Sequence, residues 1–222
     1  MKIPEITKEC AKHVFESRFM NVFDLQYEEG KHYFDATRRS FDRLVAVKSD
    51  EDFKVMVPDA VSCFVIIQRR NEEPKLLLAR EFRYPTGHFI LGVPAGLIDK
   101  ADEGIDAETA IINAAKREIK EETGIEISEK DTVKIVNPLV FSSPGMTDES
   151  NALVLVLLHP DGKLSLTQEG AEGQECFNGF SILSRDDALK LINSGRDDKG
   201  IFYSVYTWMA LVYFAMGMWN DL

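Results

Sequence analysis

Cysteine is scarce in this 222-residue sequence: only Cys10, Cys63 and Cys176, far apart and without a C-x-x-C pair. An odd and scattered set argues against a disulfide framework or a thiolate zinc site, and it fits a reducing, cytoplasmic compartment. Glycine (14) and proline (8) are too few for a collagen-like or low-complexity chain. Positive charge is in deficit as well. The sequence has 26 Lys and Arg against 37 Asp and Glu, a net charge of −11. Such a surface repels a phosphate backbone, so no nucleic-acid partner is expected. The N-terminal MKIPEITKEC has no apolar core, and no secretory signal is read there.

Long hydrophobic runs are almost absent too. The exception is residues 200–220, which carry no charge and include IFYSVYTWMALVYFAMGMW. Hydropathy alone reads this as a membrane span. Ser204, Thr207, three tyrosines and Gly217 interrupt it, and no cation follows it. A buried C-terminal helix, and no membrane, is therefore expected.

What is present suits an ordinary globular enzyme: 45% hydrophobic and 28% charged residues. A chain of this length buries about 70% of its unfolded surface. Residues 1–54 read as an N-terminal β segment and 55–222 as the main domain. In the first, SRFMNVFDLQYEEGKHYFDATRRS alternates apolar and polar residues around Glu28-Glu29-Gly30, the pattern of a hairpin. RLVAVK, from Arg43, is a candidate further strand. DAVSCFVIIQRR and KLLLAREFRY, joined by NEEP, read as two antiparallel strands of one sheet. FILGVPAGLID is an apolar run broken by Pro94 and Gly96. From Ala107 to Thr123 the apolar residues recur at helical spacing, with Gly124 as the stop. TVKIVNPLVF, ALVLVLLH and CFNGFSIL read as later strands, and SRDDALKLINSG as a helix capped by Ser184 and closed by Gly195.

The chemistry is concentrated in REIKEETGI, residues 117–125. On a helix, Glu118, Glu121 and Glu122 stand at i, i+3 and i+4, so their carboxylates share one face. Like charges gathered in this way form either a solvated acidic face or a site for a hard cation such as Mg²⁺ or Mn²⁺.

The neighbouring motifs decide between them. REIKEETGI matches the second half of the Nudix box, R-E-U-x-E-E-x-G-U, at every defined position. Pro94-Ala95-Gly96-Leu97-Ile98-Asp99 resembles the PAGLID that opens the box in ADP-ribose pyrophosphatases. REFRYPTGHF resembles the arginine-bearing strand before it. Ser143-Pro144-Gly145-Met146-Thr147-Asp148-Glu149 resembles the loop that follows. The resemblance runs from about Ser17 to the last helix. It implies an α/β Nudix fold: a mixed β-sheet between α-helices, with a small N-terminal antiparallel sheet.

The resemblance also implies a reaction, the Mg²⁺-dependent hydrolysis of a nucleoside diphosphate sugar, with Mn²⁺ as a possible substitute. The simplest substrate is ADP-ribose, cut to AMP and ribose 5-phosphate. The alternatives are another nucleoside diphosphate sugar, such as GDP-mannose, and a binding regulator without turnover. Glu118 and Glu122 match the main metal ligands, Glu121 the supporting one, and the Ala95 carbonyl a further one. Arg117 matches the arginine that orients a box glutamate. Glu149 matches the general base, with Glu121 or Glu122 as competitors. Arg83 matches a phosphate-binding arginine; Arg80 is a weaker match, with a solvent-facing role as the alternative. Tyr33-Phe34-Asp35-Ala36-Thr37-Arg38-Arg39 resembles the strand that meets the adenosine part of the ligand. By that match Phe34 stacks on adenine and Arg39 binds near the phosphates, or, one residue back, Tyr33 and Arg38 do so. The four histidines receive no role. The subfamily also implies a homodimer whose N-terminal segments are exchanged.

Two departures stand out. Gly96 and Arg117 are 21 apart where the box has 14, so the loop carries seven extra residues. Counted back from Arg117, the early glutamate of the box falls on Thr109, with Glu108 and Glu103 nearby. Gly92 stands where many subfamily members have a glutamate.

Overall fold

The computed structural model describes residues 3–99, 102, 106–170 and 175–221. The chain forms two compact units, and neither is continuous. The first comprises Met1–Asp59 and Leu139–Asn151, the second Ala60–Pro138 and Ala152–Leu222. The N-terminal segment read from the sequence thus takes in a later stretch of chain as well.

The first unit is built on β1 (Ala11–Glu16), β2 (Asn21–Glu28) and β3 (Lys31–Thr37), an antiparallel sheet in that order. The expected turn at Glu29-Gly30 joins β2 to β3. Alternation puts Phe23 and Leu25 on one face, where they are buried with Ala11 and Leu44. RLVAVK, expected as a strand, is not one. Val45–Val47 is a 3₁₀ turn, with the Val45 N–H held by the Asp148 carboxylate at 3.2 Å. That contact and the burial of Leu44 override the β propensity of the valines. The short helix α1 (Asp50–Lys54) follows, capped by Ser49.

Most of a seven-stranded sheet belongs to the second unit: β4 (Ala60–Ile67), β5 (Lys75–Arg83), β6 (His88–Gly92), β7 (Ala95–Leu97), β8 (Thr132–Phe141), β9 (Ser150–Leu158) and β10 (Phe177–Leu183), with the end of β8 and the start of β9 counted in the first unit. The strand order is β10-β5-β4-β9-β8, with β6 added to β5 and β7 to β4. The β4–β5, β5–β6, β4–β7 and β5–β10 pairs are antiparallel. β4 and β9 are parallel, because the bonds Asp59 N–H to Ser150 C=O and Gln68 N–H to Leu158 C=O advance together along both strands. The sheet is therefore mixed.

Helices α2 (Ala107–Thr123), α3 (Arg185–Ser194) and α4 (Val205–Ala215) complete this unit. α2 starts where the Asp106 carboxylate accepts the Thr109 N–H at 2.8 Å. It stops at Gly124, whose φ of 72° few other residues tolerate. Ala110, Ile111, Ala114, Ala115 and Ile119 form its apolar stripe and pack on Val61, Cys63 and Val65 of β4. Each buried aliphatic side chain of this kind contributes about 1.5–3 kcal/mol. The opposite face of β4 carries Phe64, which meets Tyr213 of α4 with ring centroids 5.5 Å apart. The sheet thus lies between α2 and α4, as the resemblance implied. α4 is shorter than its apolar sequence suggested. Among the described residues no helix is long and apolar enough to cross a membrane. Nor is α4 buried all round: Leu211 and Phe214 face the core, while Trp208 is exposed.

Candidate functional site

The periodicity of α2 that buries its alanines also turns Glu118 and Glu122 inward, towards the start of β7. Both carboxylates are buried. Glu122 accepts the Ala95 N–H at 3.3 Å. Glu118 lies against Gly96 so closely that a Cβ there would overlap its carboxylate. The glycine of PAGLID is therefore required by a side chain 22 residues further along the chain. Burial raises the Glu118 carboxyl to about 7, although Arg117 opposes the shift. Burial likewise pushes Glu122 well above the usual range; the Ala95 N–H opposes this, and the charges of Glu118, Glu81 and Glu175 add to it. Glu81 of β5 and Glu175, before β10, are acidic neighbours that spacing along the chain did not single out.

Arg117 is fully occupied. Its Nη1 donates to Glu118 Oε1 at 2.7 Å and to Glu121 Oε2 at 2.8 Å. Nη2 donates to the Leu97 carbonyl and to Asp102 Oδ2, at 2.8 and 2.7 Å, and Nε donates to Asp102 Oδ1 at 3.0 Å. A guanidinium has five N–H groups, so none is left for a substrate. Asp102 is 2% exposed, and no reading of the sequence had singled it out. Burial raises its carboxyl, but the Arg117 bonds and the Asp99 N–H outweigh this and hold it below its ordinary value. Thr109 and Glu108, two of the expected positions, begin α2 instead. Glu103 lies outside the described residues.

Among the described residues, no three His, Cys, Asp or Glu side chains converge on a point that could hold a metal ion. The donor chemistry of Glu118 and Glu122 nevertheless fits a hard divalent cation. Both are buried carboxylates, pushed towards neutrality by burial, and the bond described for Glu122 comes from a neutral amide. That environment favours a cation as neighbour.

Arg83 is half exposed and pairs with Glu81 at 2.5 Å. Arg80 does not face solvent. It is buried and pairs with Asp197 and Asp198, anchoring the segment after α3 to β5.

In the first unit, Tyr33 and Phe34 are exposed and line a hollow of about 200 Å³ with Asp35, Met146 and Asp148. The Tyr33 hydroxyl donates to the Gly145 carbonyl at 2.8 Å. Asp35 Oδ2 and Asp148 Oδ1 are buried there without hydrogen-bond partners. Burial, reinforced by the Asp148 charge, raises Asp35 to about 6. Arg39 is buried, with Nη1 2.7 Å from Asp59. Arg38 is exposed, and its Nε donates to Glu149 Oε1 at 3.1 Å. Of the two arginines considered, Arg38 is thus the exposed one and Arg39 the buried one.

Residues 56–203 match the NUDIX domain. The chain belongs to the Nudix family. This Nudix protein is 35% identical over 144 residues to an ADP-ribose pyrophosphatase of Saccharomyces cerevisiae, covering 62% of this chain and 57% of that one. It is 32% identical to the ADP-ribose pyrophosphatase of Bacillus subtilis, over 62% and 64% of the two chains. To the ADP-sugar pyrophosphatase of Mus musculus it is 29% identical, over 61% and 57%. It therefore spans 57–64% of the length of these curated relatives. A crystal structure of an ADP compounds hydrolase shares the fold, with a TM-score of 0.55 and 21% identity over 100% of this chain and 96% of that one.

Asp102 is reached by counting the box from its other end. Counting back eight from Arg117 assumes that the extra residues precede the early acid of the box. Counting forward six from Gly96 reaches Asp102 directly. The insertion follows the acid, and an aspartate stands in the place of the glutamate.

Proposed function

We propose that this Nudix protein is a cytoplasmic hydrolase of nucleoside diphosphate sugars that depends on a divalent cation, Mg²⁺ or Mn²⁺, and cuts ADP-ribose to AMP and ribose 5-phosphate. The observation that carries the reading is the pair of buried carboxylates, Glu118 and Glu122, held by an intact box helix against Ala95 and Gly96. Burying two acids so close together is costly unless a cation is their working partner. The names of the relatives support hydrolysis and point to ADP-ribose as the first substrate to test.

Glu118, Glu122 and the Ala95 carbonyl are assigned to the cation, with Glu121 in support. When bound, the cation supplies positive charge against the diphosphate and makes water more acidic. Water adds to one phosphorus, the bridging P–O bond breaks, and the proton of the water passes to Glu149, assigned as general base. Arg38 holds the Glu149 carboxylate in the described state. Arg83 is assigned to the phosphates. Tyr33 and Phe34 are assigned to the nucleobase, with Arg38 rather than Arg39 as the accessible arginine. Arg117 positions Glu118 and Glu121 and does not touch substrate.

The test is a panel of ADP-ribose, other ADP-sugars and GDP-mannose, each with Mg²⁺ or Mn²⁺, read as phosphate released through a coupled phosphatase. AMP release from ADP-ribose is expected. Turnover of GDP-mannose alone would replace the substrate assignment, and no turnover with any compound would favour a binding regulator.

A further inference from the structure

Alternation along β5 decides what lies beside the buried carboxylates. Leu77 pairs with Val65 and packs in the cluster under α2, so Ala79, Glu81 and Arg83, each two further on, point to that same face. The face emerges from the core at Glu81. The Glu81 side chain is 17% exposed and that of Arg83 51%, with Glu81 Oε2 2.5 Å from Arg83 Nη2. Burial raises the Glu81 carboxyl, and the Arg83 charge opposes this. The Glu81 charge is also felt at Glu122, whose carboxyl it helps to push up. Glu81 thus stands between the arginine assigned to the phosphates and a carboxylate assigned to the cation. It also has room to turn. Gly92 pairs with Ala79 on this face, and the nearest described atom to a Cβ there would be the Ala79 carbonyl oxygen, 4.0 Å away.

We propose that Glu81 is a positioning residue that couples the cation to the substrate: without a cation it masks Arg83 in an ion pair, and with one beside Glu122 it gives its charge to the cation and releases Arg83 to the phosphates. One carboxylate cannot neutralise both partners. A compact divalent ion, with twice the charge of a guanidinium, outcompetes it for the same oxygens. Binding free energies are reciprocal, so the coupling runs both ways. The cation favours the substrate by freeing Arg83, and loss of the Arg83 charge leaves Glu81 to the cation.

This inference rests on the phosphate and cation assignments above, and its test separates it from the activity. ADP-ribose binding to the full chain is measured by calorimetry in EDTA, where cation-dependent hydrolysis is suspended. Mn²⁺ binding is measured without substrate, by electron paramagnetic resonance of free Mn²⁺. Both are measured for wild type, Glu81→Gln, Arg83→Ala and the double variant. Glu81→Gln should bind ADP-ribose about threefold or more tightly than wild type, the scale of a partly exposed ion pair. In the Arg83→Ala background the same substitution should change nothing, because its effect acts through Arg83. Arg83→Ala should in turn tighten Mn²⁺ by about threefold, but not in the Glu81→Gln background. An equal gain in ADP-ribose affinity with Arg83 removed would assign the effect to lost negative charge alone and overturn the proposal. A single variant that leaves its ligand's affinity unchanged would overturn it too. So would Glu81→Gln lowering Tm and weakening both ligands, the mark of a purely structural role. Should Glu81→Gln fail to fold, Arg83→Ala carries the test through Mn²⁺, with tighter binding expected and unchanged binding overturning it. A wild-type chain that binds both ligands but hydrolyses nothing in the panel sinks the activity and leaves the coupling standing. One that binds neither sinks both.

Discussion

At the scale of single residues, the buried glutamates set the outcomes. Glu122→Gln removes a charged ligand while conserving volume, and turnover should fall at least about 100-fold at saturating Mg²⁺. Wild-type turnover in that variant would leave the carboxylate cluster without a catalytic purpose. Glu149→Gln should lower kcat more than it raises KM, since a base acts in the transition state. Stability gives an independent handle on Glu118. Its carboxyl titrates at about 7 in the folded metal-free chain against an ordinary 4.5, so between those values the folded state holds a proton that the unfolded state has lost. Stability of the metal-free protein should therefore fall as pH rises from 4.5 to about 7. Thermal melts of wild type and Glu118→Gln across that range should show the slope reduced in the variant, and parallel curves would reject the shift.

At the scale of elements, α2 was legible in the sequence because two signals agree, a helical apolar period and a Gly124 stop; the Asp106 cap emerged only in the structure. The β4–β5 hairpin was legible because both strands are continuous apolar runs with a turn between them. RLVAVK was not, because its valines lack a strand to pair with and the side chain that holds them lies a hundred residues away. The burial of Arg80 and Arg39 was illegible for the same reason. Their acids, Asp197 and Asp59, are brought to them by folding and not by spacing. Phe23, one of several aromatics in the N-terminal hairpin, is the core of the small sheet. The end of α2 offers a direct check. Gly124 has a left-handed φ, and a Cβ there would press into the Thr167 side chain. Gly124→Ala should cost at least about 1 kcal/mol. In a protein of this length that is a drop in Tm of about 2–4 °C, and calorimetry showing none would mean that the loop carrying Thr167 yields freely.

At the scale of the whole molecule, the first unit exposes Phe15, Tyr33 and Phe34 on a sheet of only three strands, and Phe19 in the turn between the first two. A homodimer that covers part of this surface is expected, with an interface of roughly 2,000 Å² or more. Sedimentation at twice the 25.1 kDa chain mass is the expected result, with activity lost on dilution; a fully active monomer would rule the dimer out. The divided course of the first unit has a consequence of another kind, in time. Its sheet is complete when Thr37 leaves the ribosome, but the partners of Tyr33, Asp35, Ala36, Arg38, Val45 and Asp59 lie in residues 145–150. At translation rates of about 5–20 residues per second, the nascent hairpin must wait on the order of ten seconds with its valines and aromatics uncovered. The earlier-made stretch of this unit is thus finished only after the later one has been synthesised, and until then its apolar groups are open to a chaperone.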